Sequence, residues 1–213
     1  MITKPINMSN HSLNRDEIYY KTKMIDFIIN NKDTIFISEF PFNFQKRRAD
    51  LLLIENGFTH AIEIKSDIDN INSLNSQLND YIESFNKVSI FISEKHVDAI
   101  NNISKNIGVF VLKNDQIIHK RKALPKKRLN KRILLDMLST KILKELIEKK
   151  EKMTRIEMID LLSNKITFDS LNEIVKDYLH KKISPTYKLF LSERINQTTI
   201  HDLMLLEIRN TTL

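Results

Sequence analysis

The dipeptide Asn56-Gly57 lies between two apolar runs, Leu51 to Ile54 and Ala61 to Ile64, and the second of these is interrupted by Glu63. Asn-Gly is the strongest short signal for a two-residue hairpin turn, because both central residues need positive φ and such a turn matches the twist of the flanking strands. A turn centred there fixes every cross-strand partner. Glu55 faces Phe58, Leu52 faces Ala61, Asp50 faces Glu63 and Arg48 faces Lys65. Since side chains alternate along a strand, Arg48, Asp50, Glu63 and Lys65 share one face, while Leu51, Leu53, Ile62 and Ile64 share the other. Two carboxylates directly opposed in a sheet repel, so this register calls for a cation between them. A hard divalent ion such as Mg²⁺ suits oxygen ligands and retains waters for chemistry, with Mn²⁺ as a substitute. Lys65 beside it can orient or deprotonate a water, or steady charge on a phosphate oxygen.

Asp50 followed after a hairpin by Glu63-Ile64-Lys65 resembles the D…(D/E)-x-K signature of the PD-(D/E)xK nuclease superfamily, with Ala49 at the place of the name-giving proline. The segment Ser73 to Tyr81 adds Gln77-x-x-x-Tyr81, which resembles the helix that RecB-type nuclease domains lay against the active site. Leu74, Gln77, Leu78, Tyr81, Ile82 and Phe85 recur at helical spacing, which stacks Gln77 and Tyr81 on one stripe. The resemblance spans roughly residues 20–118. It implies a restriction-endonuclease-like α/β fold and metal-dependent phosphodiester cleavage. Asp50 and Glu63 would bind the metal with a backbone carbonyl near Ile64, while Lys65, Gln77 and Tyr81 complete the catalytic set. An upstream acid often joins such sites, which nominates Glu39; a solvated charge at a strand end is the competing explanation. Taken alone, Glu63 and Lys65 fit an edge strand made soluble by charge. Gln77 and Tyr81 fit the polar rim of an amphipathic helix.

Other residues near this stretch are candidates for smaller roles. Lys46, Arg47 and Arg48 could hold a phosphate, since guanidinium groups match its geometry, or simply keep a turn soluble. Asp67 could extend the acidic face, and Asp69 is expected to cap the next helix. His96 follows the apolar run Val88 to Ile92, but a lone histidine is more often structural. The remaining histidines, His11, His60, His119, His180 and His201, show no metal-ligand spacing.

Lysine and arginine exceed aspartate and glutamate by seven, and the excess is concentrated. Residues 119–132 hold eight basic residues and no acidic one, and the flanking regions nearly balance. Lys120, Arg121, Lys122, Lys126, Lys127 and Arg128 therefore form the expected nucleic-acid-binding block, gaining affinity by counterion release. A solvated linker stiffened by Pro125 is the plainer account of the same residues. The resemblance favours DNA over RNA as the polyanion.

Three regions are expected. Residues 1–118 form the nuclease-like domain, with the order α-β-β-β-α-β-α-β and a first helix over residues 14–31; residues 119–132 are a basic linker; residues 133–213 are helical. A long helix from Ile133 to Ile147 should precede Arg155–Leu162, Phe168–His180 and Tyr187–Ile208, with Thr154 and Glu157 making a capping box. These helices could read DNA, form a homodimer or dock a protein partner, and their balanced charge favours the last two. At 213 residues and 41% apolar, the chain can bury one full core with a smaller appendage. With no cysteine there is no disulfide, thiolate metal site or cysteine nucleophile. No apolar leader opens the chain and no run approaches the ~18 apolar residues of a spanning helix, so a cytoplasmic protein without membrane contact is expected. Two glycines among many Ile, Asn and Lys suggest AT-rich coding, as in a bacterium, phage or mobile element. The sequence thus favours a Mg²⁺-dependent nuclease in defence, phage biology or repair. The alternative is a non-catalytic nucleic-acid-binding or partner-recruiting protein on the same fold.

Overall fold

The computed structural model describes residues 15–31, 33–147 and 152–207; His11, residue 14 and Ile208 lie outside them. Six strands form one mixed sheet in sequential order: β1 (Thr34–Phe42), β2 (Arg47–Glu55), β3 (Phe58–Lys65), β4 (Lys87–Ser93), β5 (Gly108–Lys113) and β6 (Gln116–Arg121). The first three make an antiparallel meander, β3, β4 and β5 run parallel, and β6 returns antiparallel. Helices α1 (Glu17–Ile28) and α2 (Leu74–Ser84) flank the sheet, and a 3-10 helix at Glu94–Asn102 replaces the expected α-helix between β4 and β5. The mixed α/β fold with a helical C-terminal region is therefore as expected.

Asn56 and Gly57 take φ of 49° and 73°, and the ladder from Glu55–Phe58 to Leu51–Ile62 has the register derived from the turn. Leu51, Leu52, Ala61 and Ile62 are completely buried, so helices or neighbouring strands cover both sheet faces at this point. Strand β6 was not anticipated. Asn114 and Asp115 form its turn at φ of 47° and 63°, a conformation those side chains tolerate. His119, Lys120 and Arg121 are therefore strand residues rather than linker.

The basic segment is strapped to the sheet instead of hanging free. Leu124 donates its N–H to Asn106, Lys126 to Asn86 and Asn130 to Glu83, at 2.9, 2.7 and 3.0 Å.

The helical region differs in three places from the sequence pattern, one being that the expected helix Tyr187–Ile208 is interrupted after Glu193 and a separate helix starts at Ile200. Ser139 caps a new helix, so the expected long helix divides into α3 (Lys131–Met137) and α4 (Thr140–Glu145). After α5 (Arg155–Lys165), whose Thr154–Glu157 capping box forms as expected, α6 runs unbroken from Phe168 to Glu193 through Pro185. Its buried stripe of Leu171, Val175, Leu179, Ile183 and Tyr187 continues across the proline, so packing outweighs the lost backbone bond. Ser184 Oγ donates to the His180 carbonyl at 2.7 Å on the same turn. α7 (Ile200–Leu206) ends the described chain. No helix among the described residues is long and apolar enough to cross a membrane.

The C-terminal helices do not own a separate core. Phe36 on β1 packs edge-on against Tyr187 and Phe190 of α6 at centroid distances of 4.8 and 5.7 Å, and one apolar cluster runs from the sheet into α3, α5, α6 and α7. Asp136 of α3 also accepts the N–H of Phe44 at 2.6 Å, holding a β1–β2 loop in which Asn43, Phe44 and Gln45 all have positive φ. Phe36→Ala should cost about 3–5 kcal/mol. Urea unfolding followed by circular dichroism is expected to show a lower midpoint and still a single transition; two separated transitions would mean that the helices fold alone.

Candidate functional site

The ladder between β2 and β3 stops just where the acidic residues begin. Beyond Leu51–Ile62 the strands part, and the Asp50 carboxylate accepts the Ile64 N–H at 2.6 Å in place of a backbone partner. Glu63 and Lys65 stand two residues apart on the last turn of the pleat, with Lys65 Nζ 2.7 Å from Glu63 Oε1. Both are buried, at 3% and 9% exposure, an unusual place for charge unless paired. Tyr81 on α2 reaches the same point. Its hydroxyl lies against Glu63 Oε2 and, at 3.1 Å, the Arg48 carbonyl, which gives one proton two acceptors. The ring is fixed by Phe42 at a centroid distance of 4.9 Å.

Electrostatics sets these groups apart. Withdrawal from water and then the charge of Glu63 push the Asp50 carboxyl well above the usual range, against the pull of the Ile64 N–H and Lys21. Burial alone would lower Lys65, but the charge of Glu63 and its hydrogen bond outweigh this, and the ammonium is held above its ordinary value. Burial, then the charges of Glu63 and Asp50, push Tyr81 well up. The negative charge on Asp50 is thus poorly compensated within the fold.

Several expected contributors sit elsewhere. Gln77 is half-buried one turn before Tyr81, and its side-chain oxygen accepts from the Ser73 hydroxyl at 3.4 Å rather than meeting the carboxylates. Arg48 does not meet Lys65; it is exposed and approaches Glu39 at 3.7 Å. Arg47 turns to α2, where Asp80 holds it at 2.6 Å. Glu39, at φ 56°, faces the Lys21 ammonium. Asp69 does not cap α2, since Ser73 is the residue at that helix start; it accepts the backbone and hydroxyl of Ser66 instead, at 2.7 and 2.6 Å. Asp67 is tied to Arg15 and Tyr20, both at 2.9 Å, and to Ser93, so it braces the loop after β3.

In the basic segment, Arg121 donates to the Ile107 carbonyl at 2.7 Å and Lys126 pairs with Glu83 at 2.7 Å, leaving Lys120, Lys122, Lys127 and Arg128 as exposed charges. Asn86, where Lys126 docks, bonds Thr59 near the start of β3. Lys65 is six residues further along that strand, roughly 20 Å away. The basic segment and the acidic site are therefore separate features of the surface.

Sequence reasoning missed Lys21 and Glu17. Their i, i+4 spacing on the first helix marks a pair, but nothing local aims it at Glu39. It also missed a buried chain at the other end of β3, where Glu55 Oε1 lies 3.0 Å from His60 Nδ1 and His60 Nε2 lies 2.8 Å from Ser89 Oγ. This resembles a nucleophilic triad in geometry alone. Ser89 is 1% exposed and a side chain on Gly108 would collide with its hydroxyl, so no substrate reaches it.

The fold is thus a mixed six-stranded sheet, with buried Glu63, Lys65 and Tyr81 gathered where two strands part. The chain belongs to the family described as bacteriophage P4 protein cII, whose model matches residues 10–207. Protein cII of Enterobacteria phage P4 is 30% identical over 186 residues, which cover 82% of this chain and 70% of that protein. Among solved structures, a protein of unknown function from Silicibacter pomeroyi aligns at a TM-score of 0.41 and 13% identity, over 55% of this chain and 77% of that one.

Because the folded-state carboxyl of Asp50 titrates above its unfolded value, the native state binds the extra proton, and stability falls as pH rises from the ordinary carboxylate range through that raised value. Asp50→Asn keeps an acceptor for the Ile64 N–H and removes the charge. Without added metal, its thermal midpoint at neutral pH should exceed that of wild type, by roughly 2–4 °C per kcal/mol relieved. The gain should shrink toward pH 4, and scanning calorimetry at several pH values checks it. Glu55 works in the opposite sense: the His60 hydrogen bond first, with Lys87 assisting, lowers it to about 2, so its contribution is lost only in acid.

Proposed function

We propose that this protein is a metal-dependent nuclease acting on DNA, with its site at Asp50, Glu63 and Lys65. The observation that carries this reading is the approach of two carboxylates, Asp50 left undercompensated and Glu63 fixed by Lys65 and Tyr81, at a break in the β2–β3 ladder. Asp50, Glu63 and the Ile64 carbonyl would hold Mg²⁺ or Mn²⁺. The bound cation would supply Lewis acidity and an activated water. Lys65, held protonated by its neighbours, favours a role in stabilising charge on a phosphate oxygen over that of proton acceptor. Tyr81 orients Glu63, and the exposed Lys120, Lys122, Lys127 and Arg128 supply salt-sensitive affinity for the phosphate backbone.

One observation supports a second reading, a nucleic-acid-binding protein without catalysis. Both Glu63 oxygens already have partners, Lys65 and Tyr81, so the network is closed as it stands. The two readings part in a cleavage assay on labelled single- and double-stranded DNA and RNA with Mg²⁺, Mn²⁺ or EDTA. The nuclease is expected to cut with metal only, and Asp50→Ala and Lys65→Ala each to lose on the order of 10²-fold or more. DNA binding that is unchanged by metal and by either substitution, with no cutting, would favour the second reading. Gln77→Ala is expected to retain most of the cleavage, since Gln77 does not touch the carboxylates.

A further inference from the structure

Lys21 is among the most buried charged residues described. It lies on α1, only 6% of it is exposed, and its ammonium donates to Glu17 at 2.9 Å and to Glu39. Carboxylate oxygens of Glu17, Glu39 and Asp50 all lie within 4.8 Å of one another, close enough for three acids to share a cation. Glu39 enters this group because its left-handed backbone, φ 56°, interrupts β1 just where the register sets it opposite Asp50. A buried lysine remains charged only when anions surround it, and these do so from two elements, α1 and β1, with the field of Asp50 on β2 added. From the solvent side, the exposed Arg48 approaches Glu39 at 3.7 Å, and Glu17 is itself 47% exposed.

The position between Glu17 and Glu39 is thus filled by a tethered cation. Asp50 then has two faces, one toward Lys21 and one toward Glu63 and the Ile64 backbone. The second face holds donors as well, Lys65 on Glu63 and the Ile64 N–H on Asp50, but no ammonium there pairs with both acids as Lys21 does with Glu17 and Glu39. We infer that Lys21 is a positioning residue that stands in place of a second metal ion, limiting the site to one divalent cation and keeping Glu17 and Glu39 out of its coordination. This inference rests on the proposed nuclease site. It assigns Glu39 to Lys21 rather than to the metal, contrary to the role its place in the sequence suggests.

The test is calorimetric titration of the full chain with Mn²⁺, for wild type, Lys21→Met, Lys21→Arg and Glu39→Gln, each checked for folding by circular dichroism. Wild type and Lys21→Arg are expected to take one ion per chain. Lys21→Met is expected to take a second, because Glu17 and Glu39 lose their shared ammonium while Asp50 stays beside them. Glu39→Gln should keep the wild-type affinity within about twofold, and this arm decides the matter if Lys21→Met does not fold; a tenfold loss, worth about 1.4 kcal/mol, would make Glu39 a ligand. Two ions bound by wild type, or one by a folded Lys21→Met, would overturn the inference and leave the nuclease reading intact. No ion bound by wild type would overturn both.

Discussion

The pairing of β2 with β3 positions nearly everything else, since side chains alternate with a period of two and a slip of one residue would exchange the faces of both strands. In the observed register Leu51 meets Ile62 inside the core, and the next residues outward are Asp50 and Glu63. The same alternation that buries the leucines therefore gathers the acids. The strands then separate, and the Ile64 N–H, freed from the ladder, is taken by the Asp50 side chain. A backbone donor that would otherwise be buried without a partner is satisfied by a carboxylate, which is in turn fixed in place.

This arrangement has an energetic cost that the surrounding structure bears. Asp50 near Glu63 is destabilising while both are charged, and the Ile64 N–H and Lys21 offset it only partly. Two other carboxylates are well served: Asp67 has Arg15, Tyr20 and Ser93, and Glu55 has His60 and Lys87. An uncompensated charge such as that of Asp50 suits a site for a cation, and structural stability is commonly given up at such places.

Much of this was legible in the chain. Asn56-Gly57 announced the turn, hence the register, hence the neighbourhood of Asp50, Glu63 and Lys65; Thr154 and Glu157 announced their capping box. Each is a local rule with a physical cause. What could not be read depends on partners distant in sequence. Lys21 meets Glu39 and Asp50 only because α1 packs beside the sheet, and Arg47 turns from phosphate duty to Asp80 for the same reason. A break was expected between His180 and Tyr187, but the apolar stripe of α6 against Phe36 carries the helix through Pro185. Strand β6 escaped because its residues are mostly polar and exposed, as befits an edge, although Asn114-Asp115 was a usable turn signal.

The proposed site turns on Asp50, whose carboxyl the fold holds well above its ordinary range and whose charge a bound cation would neutralise. Its carboxyl carbon can be followed by NMR in a ¹³C-labelled chain, assigned by loss of the signal in Asp50→Asn, through a pH titration with and without Mg²⁺. The account predicts titration well above the ordinary aspartate range without metal and a marked downward shift when Mg²⁺ is present. An Asp50 that titrates in the ordinary range and does not respond to Mg²⁺ would contradict it.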